Sequence, residues 1–433
     1  MLRPFSEPVL SRRVLFGSLL CVFAMLLSPR AYSKGAVCDP AQYGARADGV
    51  TKDTKPIQAA IDACAGRGGG TVRLSKGVYL SAPIVLKDNI TLEVTKGAKL
   101  LGSPDHTDYA EMLVFRARGQ QSLISAVGAH NLAITGGGII DGNGASWWVG
   151  PGGTRPNSIM GVGVFRPRLI VFDHCQHILI QGVTVQNSPS WQIIPYYSDD
   201  IVIRDIKVLA PEGSPNTDAI DPFASSNIMI DHVTADVGDD NIAIKSGAIN
   251  SPGPDSPSSN ITIRDCIFLH GHGLSIGSEI AGGARNIHAE RIHFKGTDQG
   301  IRIKANRDRG NDVSDISFKD IEMEDVKTAI LITEYYPGTP PEGDNPPQPI
   351  TRLTPFFHNI RIENLKAVGS GVAGVIFGLP ESPVKDITLR NLRITAAKGM
   401  VISDAMVTFA GVTVKAGQGK DIDVRPSAKV LVK

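Results

Sequence analysis

Residues 227–230 read Asn-Ile-Met-Ile, and residues 260–263 read Asn-Ile-Thr-Ile. The same phrase, a polar residue followed by apolar residues at alternate positions, recurs through most of the chain. Its first apolar residue, here called the mark, falls at Leu132, Ile178, Ile201, Ile228, Ile261, Ile287, Ile316, Ile360 and Ile387. Alternation with a period of two inside such a repeat predicts short strands with one buried face, stacked coil on coil.

The spacing of the marks narrows the architecture. Successive marks lie 46, 23, 27, 33, 26, 29, 44 and 27 residues apart. Most spacings fit one coil, while the two long ones allow either an insertion or two coils. The leucine-rich phrase L-x-x-L-x-L is absent, and a propeller needs longer, blade-sized units. The sequence therefore predicts an all-β chain folded as a parallel β-helix.

A capping helix is predicted ahead of these repeats. The segment 53–56, Asp-Thr-Lys-Pro, has residues that commonly begin a helix. One face of that helix would carry Ile57, Ala60, Ile61 and Cys64. The open end of a stack of coils exposes strand edges that need a cover. We therefore expect this helix to cap the N-terminal end.

Residues 1–33 have the features of a signal peptide. Arg12 and Arg13 precede an apolar run over 14–27, and residues 31–33 offer a cleavage site with small side chains. Residues 11–16 resemble a twin-arginine signal, although two arginines suit an ordinary signal equally well. We expect a secreted or periplasmic protein whose mature chain does not span a membrane.

Charge and cysteine content limit the partners. Loss of the leader changes the net charge from +1 to −2, which argues against a nucleic-acid partner. Export permits disulfides, and we expect a bridge between Cys38 and Cys64. Cys175 and Cys266 are either buried thiols or a second bridge. No CxxC pair or Cys/His cluster suggests a metal site, so we expect no metal or cofactor. We also expect the protein to be a monomer.

Three segments rich in Gly, Pro, Ser or Asp interrupt the repeat, at 150–157, 246–259 and 338–349. Such segments cannot form strands, and we interpret them as surface loops rather than domain linkers. Residues 34–433 are therefore predicted to form one domain.

Four polar motifs fall on consecutive repeats: Asn216-Thr217-Asp218, Gly238-Asp239-Asp240, Gly271-His272-Gly273 and Arg302-Ile303-Lys304. Asp239 lies 11 residues after Ile228, and His272 lies 11 residues after Ile261, so the two occupy equivalent places in neighbouring coils. Asp218 precedes Asp239 by 21 residues, close to one coil, and adjacent strands lie about 4.8 Å apart. We expect three carboxylates to crowd into one patch.

Such a patch has the chemistry of glycoside hydrolysis. Crowding of like charges raises the pKa of at least one carboxyl, which leaves a protonated acid beside ionised bases. Hydrolysis needs an acid for the leaving oxygen and a base for water. Arg302 and Lys304 point to the same face of a strand and can grip a sugar carboxylate. Gly271 and Gly273 would let a sugar ring approach His272.

These four motifs, in this order on a β-helical repeat, resemble glycoside hydrolase family 28, the polygalacturonases and related pectin hydrolases. Residues 43–45 and 53–58 also resemble the N-terminal segment of that family. The resemblance implies a single-stranded, right-handed parallel β-helix, the pectin-lyase-like solenoid. It further implies hydrolysis of α-1,4-galacturonide bonds with inversion and without a metal.

The resemblance also implies a role for each site residue. Asp239 is expected to be the general acid, Asp218 and Asp240 to position the water, and His272 to support protonation of the acid. Substrate is expected to contact Asn216, Arg302, Lys304 and Tyr336, with Tyr335 as a rival for the tyrosine. An inverting mechanism predicts acid and base carboxyls about 6.5–9.5 Å apart.

The sequence is also compatible with other functions. Within the family, a xylogalacturonan or rhamnogalacturonan hydrolase is the alternative, and the choice between endo and exo action is open. Outside it stand a β-helical polysaccharide lyase and a noncatalytic carbohydrate-binding β-helix. A lyase usually holds calcium with carboxylates, and a binding protein has no reason to gather acids, a histidine and two cations on one face.

Overall fold

Stacked coils of parallel strands make up the part of the chain that the structure, a computed structural model, describes. That part comprises residues 35–148, 165–341 and 345–433. The predicted signal peptide over 1–33 and the predicted loop over 150–157 lie outside the described residues.

Strands dominate the described residues. The helical elements are α1 (Thr54–Ala65) and the 3-10 turns Pro40–Tyr43, His106–Asp108 and Gly144–Trp147. The strands are β1 (Ala36–Cys38), β2 (Asp48–Lys52), β3 (Gly70–Leu74), β4 (Gly77–Ser81), β5 (Ile84–Val85), β6 (Ile90–Val94), β7 (Ala98–Gly102), β8 (Glu111–Val114), β9 (Ala117–Gln120), β10 (Ile124–Val127), β11 (His130–Gly136), β12 (Ile139–Asp141), β13 (Ile170–Asp173), β14 (Gln176–Gln181), β15 (Thr184–Gln186), β16 (Ile193–Tyr196), β17 (Asp199–Leu209), β18 (Ser226–Asp236), β19 (Ile242–Ile244), β20 (Ser258–Phe268), β21 (Leu274–Ile276), β22 (Ala284–Lys295), β23 (Gln299–Lys304), β24 (Asp312–Glu324), β25 (Thr328–Thr333), β26 (Phe356–Phe377), β27 (Val384–Ser403), β28 (Ala405–Val424) and β29 (Lys429–Val432).

The coils form a right-handed parallel β-helix with three sides, as predicted. One side contains β1, β3, β6, β11 and β14 and the first parts of the long strands from β17 onwards. A second side contains β2, β4, β7, β12 and β15. The third side, here called the site sheet, contains β5, β10, β13, β16, residues 220–223, β19, β21, β23 and β25.

The marks pair with one another from each coil to the next, which confirms the repeat. Leu132 pairs with Ile178 across the spacing of 46 residues, and Ile316 pairs with Ile360 across the spacing of 44. Both long spacings are therefore one coil with an insertion rather than two coils. The marks between and after them pair in the same way.

The polar residue before each mark turns a corner of the coil. From Asn131 to Asp386 these nine residues have φ between 51° and 58°, a left-handed conformation that short polar side chains tolerate better than most. Their side chains also bond from coil to coil. Asn260 donates to Asn227 over 3.0 Å, and Asn286 donates to Asn260 over 2.7 Å. The polar half of the repeat thus sets the bend, and the apolar half fills the core.

The predicted cap covers the N-terminal end. The helix α1 packs against β1, β3 and β5 and buries Ile57, Ala60, Ile61 and Cys64, the face predicted for it. The disulfide between Cys38 and Cys64 is present, as predicted. Cys175 and Cys266 are buried free thiols. Burial raises the pKa of Cys175 to about 11 and that of Cys266 to about 12, so both stay protonated.

The predicted loop over 246–259 is two residues too long. Ser258 and Ser259 belong to β20, so the loop ends at residue 257. In the predicted loop over 338–349, the described residues form no strand. Among the helices of the described ranges, none has both the length and the apolarity that crossing a membrane requires.

Candidate active site

The structure brings the four polar motifs together where the chain enters the site sheet. Asp218 lies two residues before the strand-like residues 220–223, and Asp239 and Asp240 lie just before β19, which begins at Ile242. His272 precedes β21 in the next coil, and β23 then carries Arg302 and Lys304. Because these strands are hydrogen-bonded neighbours, side chains far apart in sequence meet on one face.

Asp240 is the most heavily bonded carboxylate of the site. Its Oδ1 accepts hydrogen bonds from Ser275 over 2.8 Å and from Arg302 over 2.9 Å. Its Oδ2 lies 2.9 Å from Nζ of Lys304. Burial alone would raise the pKa of Asp240, but the positive charges of Lys304, Arg302 and Lys245 outweigh it and hold the pKa below its ordinary value. Asp240 is therefore a fixed negative charge.

Asp239 is held by its neighbours in the adjoining coils. Its Oδ1 lies 2.9 Å from Nδ1 of His272, and its backbone carbonyl accepts from the His272 amide over 2.8 Å. Burial lowers the pKa of His272, but the hydrogen bond and the charge of Asp239 outweigh it and raise the pKa. On the other side, Nδ2 of Asn216 lies 3.4 Å from Oδ2 of Asp239.

Asn216 is in turn oriented by Arg166, a residue that the motifs did not reveal. Nη2 of Arg166 donates to Oδ1 of Asn216 over 2.7 Å. Nη1 of the same side chain donates to the carbonyls of Pro189 and Pro215 over 2.8 and 2.7 Å. Arg166 thereby directs the amide nitrogen of Asn216 towards Asp239. Burial lowers the pKa of Arg166 to about 10, so it remains charged at neutral pH.

The glycines around His272 are required by the backbone. Gly271 and Gly273 have φ of 117° and 78°. A Cβ at Gly271 would lie 2.5 Å from the carbonyl oxygen of Asp239, and one at Gly273 would lie 2.0 Å from that of Gln299. Close packing of neighbouring coils therefore explains these glycines without any substrate.

Asp218 is almost completely buried, and its Oδ1 has no hydrogen-bond partner among the described residues. Burial, together with the negative charges of Asp239 and Asp221, raises the pKa of Asp218 well above its ordinary value. Lys245 opposes this effect, with its Nζ 3.9 Å from Oδ2 of Asp218.

Three ionisable residues beneath the site were missed in the sequence analysis: Asp221, Lys245 and Glu279. Asp221 is fully buried, and in the part of the chain that the structure describes neither of its side-chain oxygens has a hydrogen-bond partner. Burial raises the pKa of Asp221 well above the ordinary value. Nζ of Lys245 lies 3.2 Å from Oε2 of Glu279. The alternation of side chains along a strand could have revealed two of them. Asp221 and Lys245 directly follow the core residues Ile220 and Ile244, so their side chains point away from the core.

Tyr336, rather than Tyr335, lies at the site. Its ring centre is 5.3 Å from the guanidinium of Arg302 and 5.0 Å from Nζ of Lys304. The hydroxyl of Tyr335 accepts instead from Asn345 over 2.6 Å.

Two carboxylates and the histidine of the site lie close enough to share a ligand. One oxygen of Asp239 and one of Asp240 lie within 4.8 Å of each other and of a ring nitrogen of His272. The two are adjacent in sequence, and the Asp240 amide donates to Oδ1 of Asp239 over 2.9 Å, which draws them together. A metal ion would have to compete with Arg302 and Lys304 for Asp240.

Comparison with known proteins places the chain in a family. Residues 69–417 match the family model described as glycosyl hydrolases family 28. A probable polygalacturonase of Vitis vinifera is 31% identical over 387 residues, 86% of this chain and 76% of that protein. An endo-polygalacturonase of Pectobacterium carotovorum is 28% identical over 387 residues, 86% of this chain and 89% of that protein. The structure of a hyperthermoactive exopolygalacturonase from Thermotoga maritima matches with a TM-score of 0.77 and 28% identity, covering 89% of this chain and 93% of that chain. The chain therefore belongs to glycosyl hydrolase family 28.

Proposed function

We propose that residues 34–433 form the mature domain of an exported polygalacturonase. It would hydrolyse α-1,4-galacturonide bonds of pectic polysaccharide with inversion. The observation that carries this proposal is the bonding of Asp239 to His272 beside Asp240, the fixed anion that Arg302 and Lys304 flank. Relatives named as polygalacturonases in plants and bacteria support the same substrate.

Asp239 is the proposed general acid. Its carboxyl lies at the corner before β19, less deeply buried than Asp218 and Asp240, where it can reach the oxygen of a sugar linkage. The proton goes to that oxygen as the bond to the anomeric carbon breaks, and water adds to the opposite face. His272 and Asn216 fix the position of the acid from either side.

Asp218 and Asp240 are proposed to position the water. Within the described ranges, Oδ1 of Asp218 accepts no hydrogen bond, so we assign Asp218 as the base that takes the proton of the water. Asp240 has its oxygens engaged by Ser275, Arg302 and Lys304, so it is the weaker base, and we assign it to orientation and charge. The raised pKa of Asp218 makes it the stronger base once it is ionised.

Arg302 and Lys304 are proposed to bind a carboxylate of the substrate. Both cations bond to the same carboxylate, Asp240, and their combined charge is proposed to attract a uronate group as well. This local charge is needed because a mature chain of net charge −2 does not attract a polyanion as a whole. Tyr336 presents its ring beside both cations, where a sugar ring can pack against it.

Polygalacturonate with a chelator present is the substrate that tests this function. Hydrolysis releases reducing ends and no ultraviolet-absorbing unsaturated product, and NMR of the first product shows inversion at the anomeric carbon. Unsaturated products, or activity that a chelator abolishes, would reassign the chain to the lyases. Absence of any cleavage would contradict the proposal outright.

Export and the monomeric state belong to the same proposal. The signal-like features of residues 1–33 support export. Light scattering of the mature protein would test the monomer, and N-terminal sequencing of exported protein would test cleavage after residue 33.

A further inference from the structure

A second apolar cluster lies on the outer face of the site sheet. It consists of Phe115, Val171, Trp191, Ile194, Tyr196, Phe223 and Ala224. The strand neighbours Ile170, Phe172 and Ile193 belong instead to the interior core. Since side chains alternate along a strand, Val171 and Ile194 point to the outside, the face that also carries the active site.

A hairpin covers this outer cluster. The strands β8 and β9 pair antiparallel, and Phe115 and Arg116 form the two-residue turn with φ of 54° and 63°. The ring of Phe115 lies 4.3 Å from that of Tyr196, 5.6 Å from that of Phe223 and 6.2 Å from that of Trp191, between centroids. Only 8% of Phe115 is exposed, so the tip is packed down onto the sheet.

Charged contacts tie the hairpin to two other insertions. Arg116 lies 3.7 Å from Oδ1 of Asp255, in the loop before β20, and donates to the hydroxyl of Tyr197 over 3.2 Å. Arg352, in the segment before β26, lies 3.6 Å from Oδ2 of the same Asp255. The side chain of Asp255 is only 4% exposed. Three insertions thus meet at one buried carboxylate.

The covered surface ends where the active site begins. Val171 pairs with Ile194, and the bridges from Ile193 to Ile220 and from Ile220 to Ile242 place Asp221 beside Ile194 in the next coil. Along the axis of the β-helix, the outward-pointing residues come in a fixed order. Val171 and Ile194 lie under the hairpin, and Asp221 and the active site follow in the next coils. Trp191 contacts both parts, because Nζ of Lys245 lies 4.7 Å from its ring centre.

The other end of the same face continues past the site. From Lys304 the paired residues are Thr333, Phe377 and Ser403, three further coils at about 4.8 Å each. A cavity of about 820 Å³ is lined by Phe377, Ser403 and Arg425 among others. Among the described residues, this cavity lies on the C-terminal side of the acids, and the hairpin lies on the N-terminal side.

We propose that the β8–β9 hairpin, with Phe115 at its tip, is an end wall that makes this enzyme exo-acting. The inference rests on the proposed polygalacturonase function. A chain end enters the site, stops against the hairpin, and is cut to a short product of constant length. Phe115 is then a specificity residue, and Arg116 holds it in place through Asp255.

The test compares viscosity with reducing ends on polygalacturonate, together with the sizes of the first products. We expect the wild-type protein to release one short product while viscosity barely falls. F115G removes the ring at a φ that glycine adopts readily, and it should give mixed products and several-fold more viscosity loss per bond cut. The control L113A changes a side chain of the same hairpin that is 71% exposed and should behave as wild type.

Each other outcome decides against the inference. Fast viscosity loss with the wild type would overturn the end wall while leaving the proposed function intact. A folded F115G that still gives one product would overturn the role of Phe115. If F115G does not fold, R116A takes its place, because the Arg116 side chain is 59% exposed and its loss leaves no cavity in the core. A folded R116A that still gives one product would likewise overturn the inference. No reducing ends with the wild type would overturn the proposed function itself.

Discussion

The ammonium of Lys245 lies 3.2 Å from Oε2 of Glu279, beneath the floor of the active site. Burial alone would lower the pKa of Lys245, but the charges of Glu279, Asp221 and Asp218 outweigh it and raise that pKa well above its ordinary value. Lys245 is therefore a permanent positive charge 3.9 Å from Oδ2 of Asp218. Glu279 keeps it in place, so this pair opposes the rise that burial causes in the pKa of the proposed base.

Lys245→Met should move the acidic limb of activity to higher pH. Asp218 acts when ionised, and its activity is lost as pH falls through its pKa. Lys245 lowers that pKa against burial, so its removal raises the pKa of Asp218 further. The pH profile of kcat/KM on polygalacturonate measures the shift. Lys295→Met, at a side chain 61% exposed, is the control and should leave the profile unchanged. If Lys245→Met leaves the acidic limb in place, Asp218 is ruled out as the base.

Glu279→Gln should destabilise the fold at neutral pH. Burial would raise the pKa of Glu279, but Lys245 and Lys304 outweigh it and lower the pKa to about 2. A carboxyl with a lowered folded pKa contributes stability above its unfolded pKa and loses it as pH falls through the folded pKa. The loss at pH 7 should be roughly 3 kcal/mol, and it should disappear between about pH 4.5 and pH 2.

Denaturant unfolding at a series of pH values measures that difference. Glu322→Gln, at a side chain 72% exposed, should change little at any pH. A destabilisation by Glu279→Gln that is constant with pH would show that packing, rather than the ion pair, is responsible.

Asp239→Asn should abolish hydrolysis and leave the melting curve nearly unchanged. The amide keeps the shape but cannot donate a proton to the leaving oxygen, a loss of about 10²–10⁴-fold in kcat. Asp205→Asn is the matched control, because Asp205 has φ of 55° at an exposed corner that asparagine also tolerates. A variant that retains activity would remove Asp239 from the role of acid, and one that unfolds would make it structural.

Cys38→Ser should loosen the N-terminal cap. The bridge to Cys64 closes a loop of 26 residues, and its loss costs roughly 3 kcal/mol in the chain-entropy estimate. Hydrogen exchange should rise first in β1 and α1, ahead of the later coils. Cys175→Ala, at a buried thiol without a bridge, should leave the exchange of the cap unchanged. Equal exchange in both variants would contradict this role of the disulfide.

The repeating parts of this protein could be predicted from sequence, because their signal is local and periodic. The marks, the face of α1 and the bridge from Cys38 to Cys64 all follow from spacing or chain position. The four motifs also converge, since a strand register of one coil carries each onto its neighbour.

What the sequence could not supply are contacts between elements outside the repeat. Arg166 reaches Asn216 from 50 residues away, and Phe115 meets Trp191 and Tyr196 from a hairpin that breaks the coil. No period relates these positions, so only three-dimensional packing shows that they meet. The repeat does bring Arg302 and Lys304 close to Asp240, but strand spacing alone does not reveal that both cations bond to that one carboxylate.

The pairing of Leu132 with Ile178 has a consequence for how such a protein changes over evolution. A coil of 46 residues stays in step with coils of 23 and 27, so an insertion of this length does not displace the coils around it. Segments at the corners can therefore lengthen, shorten or exchange while the acids keep their mutual positions. Substrate preference and bond cleavage can then diversify independently on one scaffold.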